Sequence, residues 1–393
     1  MRISAQERRA RLGARQMLAA PNRAETVEEV AERLVGLHAT DATSVVLSAR
    51  ARLAEPMLAE LDRALYEDRT VVRMHAMRRT LFAVPTALVP MFHAATAAKV
   101  AARERTMLLR QLASSDSGTG GGVRDAEWLA EAEREAWEAL ADFGEEGASS
   151  AQLSDRVPRL RETITLSPGK RYEATLRVGG SVLRLLAMDG RVRRARQIGG
   201  WASSQFRFVP APEPQHLEGG AAQAELVRRW LATYGPGTSD DLRWWTGLTR
   251  TEVHRALGRL DVVEVRLDDG TGWSAADDTG ADAAHPEPWA AFLPTLDPAT
   301  MGWKQRDFCL DPAHRDLLFD SAGNGGPTVW WNGEMVGAWA QRGDGRIVWR
   351  LLADRGAQAR TAVAEEAERL EGWLAERGLV SSFPAPLTRE LTG

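Results

Sequence analysis

Thr70-Val-Val-Arg-Met-His75-Ala-Met-Arg-Arg79-Thr-Leu-Phe-Ala-Val84 sets two β-prone runs around a basic middle and reads as a β-hairpin. The residues before it read as helices. Ser4 with Glu7 three positions later fits a capping box, which opens an amphipathic helix from about Ala5 to Leu18. Val27, Val30, Ala31 and Leu34 keep helical spacing within Glu25 to Leu37. Val46, Ala49 and Leu53 carry a second stripe, and Leu58, Leu61 and Leu65 repeat it. Helices followed by a two-stranded basic ribbon make a winged helix, and the layout comes back twice.

In the second copy Trp128 to Phe143 is helical, Ala148 to Val157 reads as a short helix-turn-helix, helix continues over Ala174 to Met188, and Arg191 to Phe208 supplies the ribbon. The third has helices over Ala221 to Thr233, Ser239 to Trp245 and Thr249 to Leu260, with a wing from Val262 to Leu267 turning at Asp268 to Gly272. No sequence identity links the copies, so the repeat is one of architecture. Ser114 to Gly122 is a linker by composition, and Asp277 to Pro288 is a Pro, Ala and Asp-rich connection. Beyond it, Thr328 to Trp331, Met335 to Trp339 and Arg346 to Leu352 alternate between Gly turns, which suggests an antiparallel β barrel or sheet. Thr361 to Arg377 closes the chain as a Glu-rich helix. The expected units are 1–113, 123–210, 218–276 and 289–393.

At 393 residues the chain is too long for one ordinary core, so several domains are expected. Its single cysteine, Cys309, excludes an internal disulfide and a cysteine-based zinc site; it fits a reducing cytoplasm and the role of a small packing residue. The charged N-terminus lacks the apolar run of a secretory signal, and no apolar stretch is long enough for a membrane span, so a soluble cytoplasmic protein is expected. Phosphate-loop, dinucleotide, nucleophile-elbow and zincin motifs are missing, and the seven histidines show no ligand spacing. ATP, dinucleotide and zinc chemistry are therefore disfavoured, and no cofactor is expected.

His38-Ala39-Thr40-Asp41 collects an imidazole, a hydroxyl and a carboxylate where a helix should begin. Two readings fit Asp41: a helix N-cap, whose oxygen satisfies free backbone N–H groups, and a catalytic carboxylate. His38 at a helix end can equally hydrogen-bond a last carbonyl.

A net charge of −4 argues against indiscriminate nucleic-acid binding, yet the basic residues are clustered. Arg191, Arg193, Arg194, Arg196 and Arg207 stand in a ribbon without acids, interleaved with Trp201, Phe206 and Phe208. In the first ribbon Arg69, Arg73, His75, Arg78 and Arg79 lie against Met74 and Met77. Such ribbons suit phosphate contacts, and apolar side chains at a hairpin tip could wedge between base steps. The alternative is a solvated hairpin face that needs charge. Most of the 14 tryptophans should be packing residues, with one of each pair Trp244-Trp245 and Trp330-Trp331 in a core.

Three stretches in this order resemble the winged-helix DNA glycosylases of the AlkZ and YcaQ type: Leu37 to Leu53, the hairpin Arg73 to Phe82, and Phe292 to Arg306 with its Leu-Pro-Thr-Leu-Asp-Pro-Ala-Thr-Met-Gly-Trp-Lys-Gln-Arg. The resemblance covers nearly the full length. It implies an α+β fold of three tandem winged-helix modules followed by a C-terminal antiparallel β barrel. It also implies excision of bulky N-alkylpurines from duplex DNA, in repair or in self-resistance to a DNA-alkylating natural product. The family's usual catalytic motif, Gln-x-Gln or Gln-x-Asp, falls on His38 and Thr40 here, with Asp41 next. Asp297, Lys304 and Arg306 then belong to a phosphate-facing edge of the barrel.

An N7- or N3-alkylated purine is cationic and leaves as a neutral base without a general acid. The protein must then position a water and place negative charge near the oxocarbenium-like sugar. On this reading Asp41 activates or orients the water and stabilises the sugar cation, His38 hydrogen-bonds the water or a sugar phosphate, and Thr40 orders the group. Arg73, Met74, His75, Met77, Arg78 and Arg79, the five ribbon arginines from Arg191 to Arg207, and Lys304 and Arg306 contact DNA. Three modules in one chain could clasp duplex as a monomer. The competing reading is a non-catalytic winged-helix regulator or adduct sensor using the same ribbons.

Overall fold

The computed structural model describes residues 1–114, 124–166, 171, 173–268, 270–280, 287–374 and 383–393. Beyond Ser114 the expected linker lies outside them, as does part of the Asp277 to Pro288 connection. The chain is mixed helix and sheet, and its first segment follows the local signals closely. Ser4 accepts from the Glu7 amide while the Glu7 carboxylate accepts from the Ser4 amide at 2.7 Å, opening the helix Ala5–Arg15. Helices Val27–Arg33 and Ala42–Arg50 flank a two-residue strand, Leu37–His38. That strand pairs with Leu81–Pro85, which pairs with Val71–His75, so the hairpin gains a third, short strand.

The same strand order recurs. In the second segment Ala148–Ser149, between helices Ala126–Asp142 and Ser150–Arg156, pairs with Phe206–Pro210, which pairs with Val192–Gln197. In the third, Gly237 lies between helices Gly219–Tyr234 and Ser239–Thr246 and bridges Trp273. Trp273 belongs to the strand Gly270–Ala275, which pairs with Val262–Leu267. Capping boxes at Thr238/Asp241 and Thr249/Glu252 start the third segment's helices Ser239–Thr246 and Arg250–Leu257. Two expectations fail in the second segment: Ala148 to Val157 is a short strand and a single helix instead of a helix-turn-helix, and the helix expected from Ala174 starts late. Ala174–Arg177 is a strand paired with Thr163–Leu166, and helix covers only Gly179–Met188. Cross-strand partners such as Ile164 opposite Leu176 decide that pairing, which local helical spacing does not register.

The C-terminal strands Ala290–Leu293, Thr328–Trp331, Glu334–Gln341 and Ile347–Leu351 form an antiparallel sheet in chain order, whose first and last strands do not pair. Among the described residues this is an open sheet, which corrects the expected barrel. Its strands are apolar on both faces. Phe292, Val329 and Trp339 pack under Ala359, Val363 and Leu370 of the helix Gly356–Leu374. Trp330, Ala338 and Ala340 share the opposite core with Leu387 and Leu391 of Pro386–Thr392. Helices on both faces bury what closure would otherwise enclose.

The cores are distributed unequally. One large cluster joins Leu12, Phe82 and Phe92 of the first segment to Trp230 and Trp245 of the third and to Trp303 and Trp330 near the C-terminus. The second segment has its own core, including Leu129, Leu140, Leu183 and Leu186, anchored by Leu108 and Leu112 from the long helix Ala98–Ser114. Trp230, Trp245, Trp289, Trp303, Trp330, Trp331 and Trp339 are buried, as is Cys309. Among the described residues no helix is long and apolar enough to cross a membrane.

Candidate active site

The strand Leu37–His38 and the helix Ala42–Arg50 meet at the short polar step, and each of its side chains faces a different environment. His38 is buried, its ring 5.1 Å from Phe82, the residue opposite it in the sheet. Burial first, and then the charge of Arg78, push its pKa down to about 3, with Asp41 opposing them in part. The imidazole is therefore neutral at physiological pH. Its Nδ1 faces the Thr40 amide at 3.5 Å. Thr40 is the exposed member of the group. Asp41 is buried and caps the helix: Oδ1 accepts from the amides of Thr43 at 2.9 Å and Ser44 at 3.1 Å and from the Thr43 hydroxyl at 2.6 Å. The N-cap reading is thus realised, and these donors hold the carboxylate in place.

Polar side chains that sequence reasoning passed over tie this helix to the late motif. Ser44 Oγ donates to the Thr295 carbonyl at 2.7 Å and Ser48 Oγ to Asp297 at 2.6 Å. Arg52 and Asp297, both fully buried, form a two-pronged pair at 2.8 and 2.9 Å. Ser44, Ser48 and Arg52 are four apart, a polar stripe along one face of the segment, and that spacing was the available signal. Asp297 is therefore an interior strut, not a phosphate-facing group.

The first hairpin tip is docked, not free. Met77 is fully buried in the main core and Met74 packs partly against it, which corrects the expectation that these side chains are open to wedge into DNA. Arg73 is buried too, bonded to the Tyr66 hydroxyl and stacked near Phe206 at 5.2 Å. Arg78 and Arg79 are consecutive non-glycine residues with φ of 49° and 67°, a conformation costing on the order of 1–3 kcal/mol each. The tip is held there by the third segment: Arg78 lies 4.4 Å over Trp244, and a Cβ at Gly247 would come within 2.9 Å of Arg78 Cγ. Burial lowers Arg78 to about 10, and burial followed by Arg194 lowers His75 to about 4. Arg79 is exposed and pairs with Glu104 at 2.8 Å.

The second ribbon spends much of its charge inside the protein. Its strand Val192–Gln197 packs across Val71–His75. Arg194 stacks on Phe206 at 4.6 Å, and burial lowers it to about 10. Arg196 pairs with Asp62 and Glu67, Arg207 lies 3.2 Å from Glu146, and Arg191 is 4.0 Å from Glu133. Arg193 lines a 470 Å³ cavity together with Arg69, whose charge adds to burial in lowering it. Arg306 is buried between Trp244 and Phe319, and Lys304 pairs with Asp240 at 3.2 Å. The structure thus brings His38, Thr40, Asp41 and Arg78 to one locality, with Arg79 and Arg306 beside Arg78, and occupies Lys304, Arg191, Arg196 and Arg207 with carboxylates elsewhere. No cluster of three metal-ligating side chains occurs among the described residues.

A profile of the family described as DNA glycosylase AlkZ-like matches residues 31–373. The chain belongs to the AlkZ-like DNA glycosylase family. The match spans both stretches joined by Arg52 and Asp297 as well as the hairpin between them. No curated protein matches the sequence. Among solved structures the chain is similar to Streptomyces sahachiroi DNA glycosylase AlkZ, with a TM-score of 0.71 and 21% identity over 98% of this chain and 99% of that one. That likeness is one of fold, and the family makes DNA the substrate class of this AlkZ-like chain.

Proposed function

We propose that this AlkZ-like protein is a monofunctional DNA glycosylase that hydrolyses the N-glycosidic bond of bulky N7-guanine or N3-adenine adducts in duplex DNA. The three recurrent units, two with a short strand and the third with the bridging residue Gly237 beside its ribbon, are read as winged helices that bind duplex as a monomer, in repair or in self-resistance to a DNA-alkylating product. The observation that carries the reading is the pairing of a neutral, buried His38 with an immobilised Asp41 behind an exposed Thr40. A neutral imidazole cannot protonate a leaving group, and a cationic alkylpurine needs no proton. Asp41 Oδ1 already accepts from the Thr43 and Ser44 amides and the Thr43 hydroxyl, so its contribution is fixed negative charge toward the oxocarbenium, ahead of proton abstraction. Orientation of the water falls to the Thr40 hydroxyl and to His38.

Incubation with duplex bearing an N7-alkylguanine adduct should release free base and leave alkali-labile abasic sites. Asp41→Asn and His38→Ala should slow release by more than they weaken binding. Tight binding without release across several bulky adducts would favour the adduct-sensor reading instead.

A further inference from the structure

The docked hairpin tip forms one wall of a 430 Å³ groove. Arg78 and Arg79 line it from the tip, Lys99 and Arg103 from the helix Ala98–Ser114, and Thr246-Gly247-Leu248 from the turn after Ser239–Thr246. Two of its four cations are already neutralised, Arg79 by Glu104 at 2.8 Å and Lys99 by Glu252 at 2.6 Å. Among the described residues Arg78 and Arg103 form no ion pair with a carboxylate. Arg78 Nε is enclosed and lacks a hydrogen-bond partner.

A purely structural role for Arg78 would rest on its stacking over Trp244. Stacking uses the face of the guanidinium and leaves the N–H edge unanswered. Arg306 lies 4.8 Å from the same indole and also has no carboxylate partner among the described residues, which adds to the positive potential. A partly enclosed guanidinium held over an indole and against Gly247, without a counter-ion, suits a bidentate oxyanion from outside. Phe82, which pairs with His38 across the sheet, is four residues from Arg78, so the groove adjoins the candidate active site.

We infer that the groove seats a backbone phosphate of the damaged DNA strand, that Arg78 and Arg103 are the cations that contact it, and that Arg78 thereby positions the nucleotide facing His38. The inference rests on the glycosylase reading for the word damaged, but the contact itself is independent of any excision. Arg78 is a positioning residue, acting on the backbone while the reacting sugar lies before Thr40 and His38.

The test is the slope of log Kobs against log salt concentration for undamaged duplex. It uses the full-length protein, Arg78→Ala, Arg103→Ala, the double variant and Arg78→Lys. Arg228→Ala is the control, because that guanidinium is already bonded to Glu225 at 2.7 Å. Each alanine variant should reduce the slope by about 0.9 and the pair by about 1.8, while Arg78→Lys keeps the wild-type slope. An unchanged slope in both alanine variants, an equal drop in Arg228→Ala, or Arg78→Lys behaving as Arg78→Ala would overturn the assignment. Arg103 is exposed, so its variant reports even if loss of Arg78 disturbs the hairpin. Slopes that fall as expected in a protein releasing no base would retain the groove and remove the glycosylase. Normal release with unchanged slopes would do the reverse.

Discussion

Protonation of His38 should destabilise this protein as pH falls. Burial and Arg78 hold the folded imidazole at about 3, against about 6.5 in an unfolded chain. Because the folded value is depressed, the unfolded chain binds a proton that the folded chain refuses between those limits. The stability is intact above about pH 6.5 and is lost as pH falls toward 3. At pH 5.0 those two values correspond to about 2 kcal/mol lost relative to pH 7.5. His75, lowered to about 4, adds a similar loss. Urea unfolding of wild type and His38→Gln at pH 7.5 and 5.0 isolates the His38 part, since the other titrations cancel in the difference. The variant should lose about 2 kcal/mol less than wild type over that interval. Equal losses would refute both the buried neutral imidazole and its use in the mechanism. Single-turnover excision should likewise show no decline centred near pH 6.5 that His38→Gln removes.

Asp41→Asn should leave stability within about 0.5 kcal/mol, since asparagine caps helices as well as aspartate, whereas Asp41→Ala should cost about 1–2 kcal/mol. Excision measured beside denaturation then separates cap from chemistry: loss of activity in the asparagine variant at unchanged stability assigns the charge to the reaction. Asp297→Ala leaves Arg52 buried without its partner and should cost about 3–5 kcal/mol in chemical unfolding, with no specific change in the salt dependence of DNA binding. Met77→Ala should cost about 2–5 kcal/mol as a core deletion. If it instead weakens duplex binding at unchanged stability, Met77 is a DNA wedge after all.

Local signals located most elements because their causes are local. The capping boxes at Ser4, Thr238 and Thr249 satisfy amides within their own first turns, and Val71–His75 with Leu81–Pro85 was visible as two β-prone runs around a turn. The strand Ala174–Arg177 was missed because its partner lies in another run of the chain. At the candidate site, the sequence placed His38, Thr40 and Asp41 where a helix begins, and the family profile overlaps them; that a strand, not the end of the preceding helix, leads into the step came from its pairing with Leu81–Pro85. The cation list fared differently: Arg73 and Arg306 are interior, and Arg196 and Arg207 have carboxylates beside them.

The sequence by itself determined where helices and hairpins begin, that an imidazole, a hydroxyl and a carboxylate share one junction, and which family the chain resembles. Each follows from interactions spanning a few residues or from the order of short motifs. Tertiary structure alone decided that Met77 is core, that Arg52 closes on Asp297 from 245 positions away, and that Arg78 rests on Trp244 beside His38. It also decided that the C-terminal strands stay an open sheet between two helices. The physical reason is that a charge or an apolar side chain takes its role from what desolvates and neutralises it, and those partners come from distant parts of the chain.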